Sequence, residues 1–190
     1  MAGPLKVHVL IRPRPGDFAY DQDEFDVMRR DIEAAVAAGA HGIVIGVLRD
    51  DDTVDTERTA ALQAISHRPV TFHRAFDLTA DPDAALQTLI DLGIERVLTS
   101  GQAASAAEGA EVIARLNDQA GNRIAVMAGG GISADNVARL RAATGVGELH
   151  FSGSRAVPAS SRVRLGRGEE RLTVTSAERI GAIIAAATSG

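Results

Sequence analysis

The run VTFHRAFD, residues 70–77, begins as an apolar strand and ends by placing His73, Arg74 and Asp77 within five residues. An imidazole can hold or move a proton near neutral pH, and a guanidinium presents a fork of N–H donors to an oxyanion. A carboxylate beside them can fix the tautomer of the one or the direction of the other. Comparable groups follow the other apolar runs: Arg12, Arg14 and Asp17 in IRPRPGD (11–17), Ser100 and Gly101 after VLT, Gly129, Gly130 and Gly131 in AGGGIS (128–133), and His150, Ser152 and Gly153 in LHFSG (149–153).

The expected division is acid–base and anion chemistry by His73, Arg12, Arg74 and Asp77. Arg14, Asp17, Ser100, Gly101, Gly129, Gly130, Gly131, His150, Ser152 and Gly153 would line the ligand pocket. Each position also has a structural reading: Arg74 and Asp77 pair with each other or with IRPRPGD to order loops, and His73 is a hydrogen-bonded core residue. Their clustering at the ends of strands favours a functional role.

Three consecutive glycines at a strand end, with Ser133 as a helix N-cap, leave backbone N–H groups and a helix dipole free to meet an anion. Ser152-Gly153-Ser154 supplies a second small-residue loop, and Arg155 a further charged donor. Glycines can equally serve only tight turns and close helix–sheet packing. The two loops together point to a phosphate or carboxylate.

A metal has fewer donors to choose from. The chain has no cysteine, which excludes disulfides, thiolate zinc or copper sites and cysteine nucleophiles. His73, His150, Asp17, Asp77 and Met127 remain, a set suited to Cu(II) or Zn(II) more than to Cu(I), with no HxH or HxxxH pair. No metal ligand is assigned. LRDDDTVD (48–55) lacks the Gly and Glu of a calcium loop, and Asp55 is read as a helix cap. His8, His41 and His67 carry no assigned role.

These groups need a scaffold that brings strand ends together. Runs at 7–12, 42–48, 69–74, 95–100, 123–129 and 148–153 are rich in Val, Ile and Leu without clean alternation, as expected of parallel strands covered on both faces. Helices between them start at recognisable caps: Asp21 with Glu24, Ser105 with Glu108, Thr175 with Glu178, and Asp81 followed by Pro82. Glycines in AAGAHG and DLGIER close two helices. Polar groups after every strand fit a closed (β/α) barrel, whose C-terminal face gathers all the βα loops, and no GxGxxG follows the first strand to suggest a dinucleotide fold. Six units are found where a barrel has eight. Segment 154–176 has no clear period and is read as a long loop or lid.

Composition narrows the function classes. The length of 190 residues fits one domain, and 45% hydrophobic content fits a globular one. No apolar run is long enough for a membrane helix and the N-terminus does not resemble a signal peptide, so a cytoplasmic location without membrane partners is expected. A net charge of −5 with a single tyrosine argues against nucleic-acid binding. Lys6, the one lysine, precedes the first strand at the non-catalytic end of a barrel, which argues against a Schiff base.

IRPRPGDFAYDQDEF (11–25), VTFHRAFD (70–77), LGIERVLTSGQ (92–102) and AGGGISADN (128–136) resemble, in order, the CutC family, named for copper homeostasis. The resemblance implies a TIM barrel in which this chain supplies strands three to eight, a single domain over 1–190 lacking the first two βα units. It implies copper homeostasis and copper binding, although family members credited with Cu(I) are linked to cysteines this chain lacks. Copper is thus the implied partner, and the residues themselves point to a small anionic ligand. An enzyme of lyase or isomerase type acting on a phosphorylated or carboxylated metabolite is the main alternative, and a catalytically inactive relic is another. Two uncovered sheet edges lead to the expectation of a homo-oligomer.

Overall fold

The computed structural model describes residues 5–158 and 171–188. Its first strands and helices alternate as β1 (His8–Leu10), α1 (Gln22–Ala37), β2 (Gly42–Ile45), α2 (Thr56–Ser66) and β3 (Val70–Phe72). A short 3-10 helix (Arg74–Leu78) follows, then α3 (Pro82–Asp91), β4 (Arg96–Thr99), α4 (Ala110–Ala120), β5 (Ala125–Gly129), α5 (Val137–Thr144) and β6 (Glu148–His150). The six strands form one sheet in chain order, every neighbouring pair parallel. Such pairing requires a crossover at each step, and the helices provide it.

Several helix starts are chemically explicit. Asp21 accepts from Glu24 N while Glu24 returns a bond to Asp21 N, a complete capping box. Asp55 caps α2, and Asp81 caps α3 with Pro82 at its first position. Ser105 and Thr175 are displaced from the cap positions expected of them. Ser105 Oγ accepts from Glu108 N, but that turn precedes α4, whose N-cap is Gly109. At α6 (Ala177–Thr188), Ser176 rather than Thr175 offers its hydroxyl to the N–H three residues on.

The core lies between the sheet and its helices. Ile43, Ile45, Phe72, Val97 and Val126 point to it from the strands, and Met28, Ile32, Leu62, Leu86, Leu89, Ile113 and Leu116 from the helices, all buried. The opposite face is concave. Lys6 and His8 at one end of the sheet line the same hollow as His150 at the other, with Val44, Thr71, Arg96, Leu98 and Met127 between them. The sheet is therefore curled, with β1 and β6 as its edges. Leu5, Val7 and Leu10 beside the β1 edge are exposed.

The ends of segment 154–176, expected as one loop, form an antiparallel pair, β7 (Ser154–Pro158) with β8 (Arg171–Thr175). Their backbone groups satisfy one another in that ladder, which a shapeless loop would leave to water. Residues 159–170 of the expected lid lie outside the described residues. No described helix is long and apolar enough to cross a membrane.

Candidate functional site at the strand C-terminal ends

Asp77 is tied to the chain from four directions. Its carboxylate, 7% exposed, accepts from Arg74 Nε at 2.6 Å, Thr99 Oγ1 at 2.5 Å, Ser100 N at 3.0 Å and Gln102 N at 3.2 Å. The 3-10 helix after β3 is thereby fastened to the loop after β4. With both oxygens engaged, Asp77 acts on geometry: it sets the direction of Arg74.

Arg74 donates from Nη2 to Ser100 Oγ at 2.7 Å, while Nη1 has no partner among the described residues. The guanidinium lies against the glycine loop. A Cβ on Gly130 would meet Nη1 at 3.5 Å and Ser100 Cβ at 3.2 Å, and the φ of +111° at Gly130 excludes most side chains in any case. The Gly130 carbonyl accepts from Ala106 N and the Gly131 carbonyl from Asn136 Nδ2. The N–H groups of Gly130, Gly131 and Ile132 donate to no described residue. A guanidinium nitrogen and three successive amides thus remain free within one loop cluster, the composition of an oxyanion cradle.

The helix expected at Ser133 begins later. Asn136 is the N-cap of α5, and its Oδ1 accepts from Ser133 N at 2.9 Å, while the Ser133 carbonyl accepts from Val137 N. The asparagine side chain closes a turn that outcompetes an earlier helix start. The helix dipole is accordingly further from the glycines than the sequence suggested.

His73 stands at the same mouth but is closed in. It is 7% exposed, with Nδ1 accepting from Ala75 N at 3.1 Å as the cap of the 3-10 helix. Phe18 covers the ring at 4.8 Å between centroids, and Nε2 is buried without a partner. Burial, with the Arg12 charge adding to it, lowers the imidazole to about 4, so His73 is neutral at physiological pH. Its ring fits because position 46 is glycine: a Cβ there would collide with His73 and lie 2.8 Å from Ala75 Cβ.

The IRPRPGD residues chiefly order their own loop. Arg14 pairs with Glu24, with Asp17 at 2.8 Å and with the Ala19 carbonyl, and these carboxylates raise the guanidinium above its ordinary range. Asp17 is 74% exposed at its side chain. Arg12 donates to the Gly16 carbonyl at 2.7 Å and lies over the Phe18 ring, so it supports the residue that covers His73.

The remaining candidates divide. Gly101 donates to Thr99 Oγ1 and packs on the Gly109 backbone. Gly129 sits between the side chains of Leu98 and His150, and His150 is exposed toward the hollow. Ser152 bonds Ser154 through their hydroxyls, and Gly153 makes room for Ile180 of α6. No hydrogen bond among the described residues joins Ser152 or Gly153 to Arg74.

Sequence reasoning missed Arg96 and Glu148, which form a two-point ion pair across the hollow face from β4 to β6, with Arg96 Nη2 to Glu148 Oε1 at 2.8 Å. Arg96 holds the Glu148 carboxyl below its usual range. The partners are 52 positions apart, and only the register of the intervening β5 shows that they meet.

The chain as a whole is similar to known proteins over most of its length. The CutC family profile matches residues 2–155. A family protein CutC of Chromobacterium violaceum is 47% identical over 163 residues, covering 85% of this chain and 66% of that protein. A family protein CutC of Vibrio vulnificus YJ016 is 49% identical over 157 residues, covering 81% and 63%. The chain therefore spans about two thirds of the length of these curated relatives. The crystal structure of a putative copper homeostasis protein CutC from Streptococcus agalactiae superposes with a TM-score of 0.74 at 34% identity, over 77% of this chain and 72% of that one. A mandelate oxidase mutant matches at TM-score 0.55 and 15% identity, over 77% of this chain and 48% of that one, a likeness of fold alone.

Proposed function

The chain belongs to the CutC family, with a six-stranded part of a TIM-barrel-like fold, and on that premise we propose that it binds a small oxyanion-bearing metabolite at the C-terminal mouth of its sheet. The observation that carries this reading is Arg74. Its guanidinium is held by Asp77 and Ser100 with Nη1 against Gly130, and among the described residues neither Nη1 nor the amides of Gly130, Gly131 and Ile132 have a hydrogen-bond partner. Charge-assisted bonds from a fixed guanidinium, joined by backbone amides, are the strong kind of oxyanion contact. The bond to Asp77 also means that little side-chain freedom is lost when a ligand arrives.

His73 takes the part of a neutral positioning group in this arrangement. Its bond to Ala75 N shapes the turn that carries Arg74, and its Nε2 is buried without a partner while Phe18 lies against the ring. Proton transfer by His73 would require that cover to move.

Copper homeostasis is what the name of the Streptococcus agalactiae protein associates with that protein. The donors here do not fit a closed copper centre. There is no cysteine, and among the described residues no three His, Asp or Glu side chains are grouped for a metal. Met127, His8 and His150 share the hollow as the softest donors present.

Thermal denaturation with inorganic phosphate, sulfate or chloride at matched ionic strength tests the reading. Phosphate and sulfate are expected to raise Tm saturably and to lose that saturable part in Arg74→Met, over and above the gradual rise that excluded anions give any protein, and chloride to give no saturable rise. Equal effects of all three, or stabilisation by copper alone, would reject it.

A further inference from the structure

Resting on that reading of the mouth, we propose that the head taken by Arg74 and the glycine loop is the doubly ionised, three-oxygen group of a phosphate or sulfate monoester. Carboxylates and protonated phosphates are discriminated against.

The supply of donors points to three oxygens. A guanidinium carries five N–H groups. Arg74 gives one from Nε to Asp77 and one from Nη2 to Ser100, both on the same edge of the fork, and the other three make no bond among the described residues. The amides of Gly131 and Ile132 add two more without a described partner. A carboxylate brings two oxygens to such a set, whereas a phosphate monoester brings three strong acceptors. The free edge of the fork suits two oxygens side by side, which leaves the third for the loop amides. A Cβ at Gly130 would lie 3.5 Å from Nη1, so any larger residue there would crowd the fork.

The acceptors decide the ionisation state. In Asp77, Oδ1 accepts from Thr99 Oγ1 and Ser100 N, and Oδ2 accepts from Arg74 Nε. Ser100 Oγ accepts from Arg74 and lies 2.7 Å from the Ala103 carbonyl as its donor. The carbonyls of Gly130 and Gly131 are taken by Ala106 N and Asn136 Nδ2. A proton on the head would therefore meet donors at the fork and amides, where each protonated oxygen forfeits a charge-assisted bond. The Ser133 hydroxyl can donate as readily as accept, so it is compatible with a proton-free head.

The charged and titratable groups around the cluster are Arg74 and Asp77 of the 3-10 helix, the exposed carboxylates of Glu108 and Asp135 on the flanking turns, and His150 beside Gly129. His73, at about 4, stays largely neutral from pH 5 upward. Sulfate is doubly ionised over that whole range and so registers whatever the protein groups do. A phosphate monoester loses its second proton at a pH of about 6, and its binding measured against sulfate isolates the proton on the ligand.

Calorimetric titration of the wild type with sulfate, glycerol phosphate and acetate between pH 5 and pH 8 tests this. The affinity for glycerol phosphate relative to sulfate is expected to rise about tenfold across the range, following the doubly ionised fraction. At pH 8, acetate is expected to bind about tenfold or more weaker than glycerol phosphate, through loss of the third oxygen's bonds. Arg74→Met is expected to weaken sulfate and glycerol phosphate alike. A ratio of glycerol phosphate to sulfate affinity that does not change with pH, acetate binding as tight as glycerol phosphate, or a preference for glycerol phosphate over acetate retained in Arg74→Met would overturn the proposal. Absence of binding by all three anions would overturn the reading of the mouth itself and the proposal with it.

Discussion

Asp77 fixes Arg74: its Oδ2 lies 2.6 Å from Arg74 Nε, and the same carboxylate holds Thr99, Ser100 and Gln102 of the neighbouring loop. One side chain therefore couples the turn after β3 to the turn after β4 and leaves the outer nitrogen of Arg74 facing the glycines after β5.

Replacement of Asp77 by Ala strands several buried donors at once. The expected loss is about 2–4 kcal/mol of unfolding free energy, read from the urea midpoint, with weaker oxyanion binding in whatever fraction stays folded. A midpoint unchanged from wild type would show that these bonds are replaced by water.

Gly46→Ala tests the close seat of His73. The added methyl would press on the imidazole and on Ala75 Cβ, with a cost of about 1–3 kcal/mol expected from overpacking. Differential scanning calorimetry reads the shift, and a second substitution, His73→Ala, is expected to relieve part of it.

His73 also sets a pH dependence. Its folded value near 4 lies below its ordinary 6.5 because of burial and Arg12. Between these values the unfolded chain binds a proton that the folded chain refuses, so stability rises with pH across that window. His73 thus has no destabilising effect above pH 6.5, and stability falls as pH drops from 6.5 toward 4, by up to about 3 kcal/mol at the lower end. Urea midpoints measured across the window should show a slope that is reduced by about one proton in His73→Gln.

The ion pair between Arg96 and Glu148 joins β4 to β6, but Glu148 is more than a third exposed, so solvent screens it. A double-mutant cycle with Arg96→Met and Glu148→Gln should give a coupling of about 1 kcal/mol or less.

The strands and most helix starts were legible because their signals are local. Apolar runs of the right length mark β1 to β6, and Asp21, Asp55 and Asp81 cap the helices expected of them. Ser133 misled because Asn136, three residues on, offers its own oxygen to the Ser133 amide and delays the helix. The grouping of Arg74 and Asp77 was visible in VTFHRAFD. Their attachment to Thr99 and Ser100 was not, since it depends on which strand lies beside β3. His73 read as reactive from its neighbours in sequence, whereas its chemistry is set by Phe18 and Gly46, brought against it from more than 25 positions away. Arg96 and Glu148 lay inside apparently ordinary strands, where only the curl of the sheet makes one interior face of them.

The most direct test is calorimetric titration of inorganic phosphate into the wild type and into Arg74→Met. Saturable binding by the wild type, weakened about tenfold or more in the variant, is the expected result. Equal binding by a folded Arg74→Met would contradict the account.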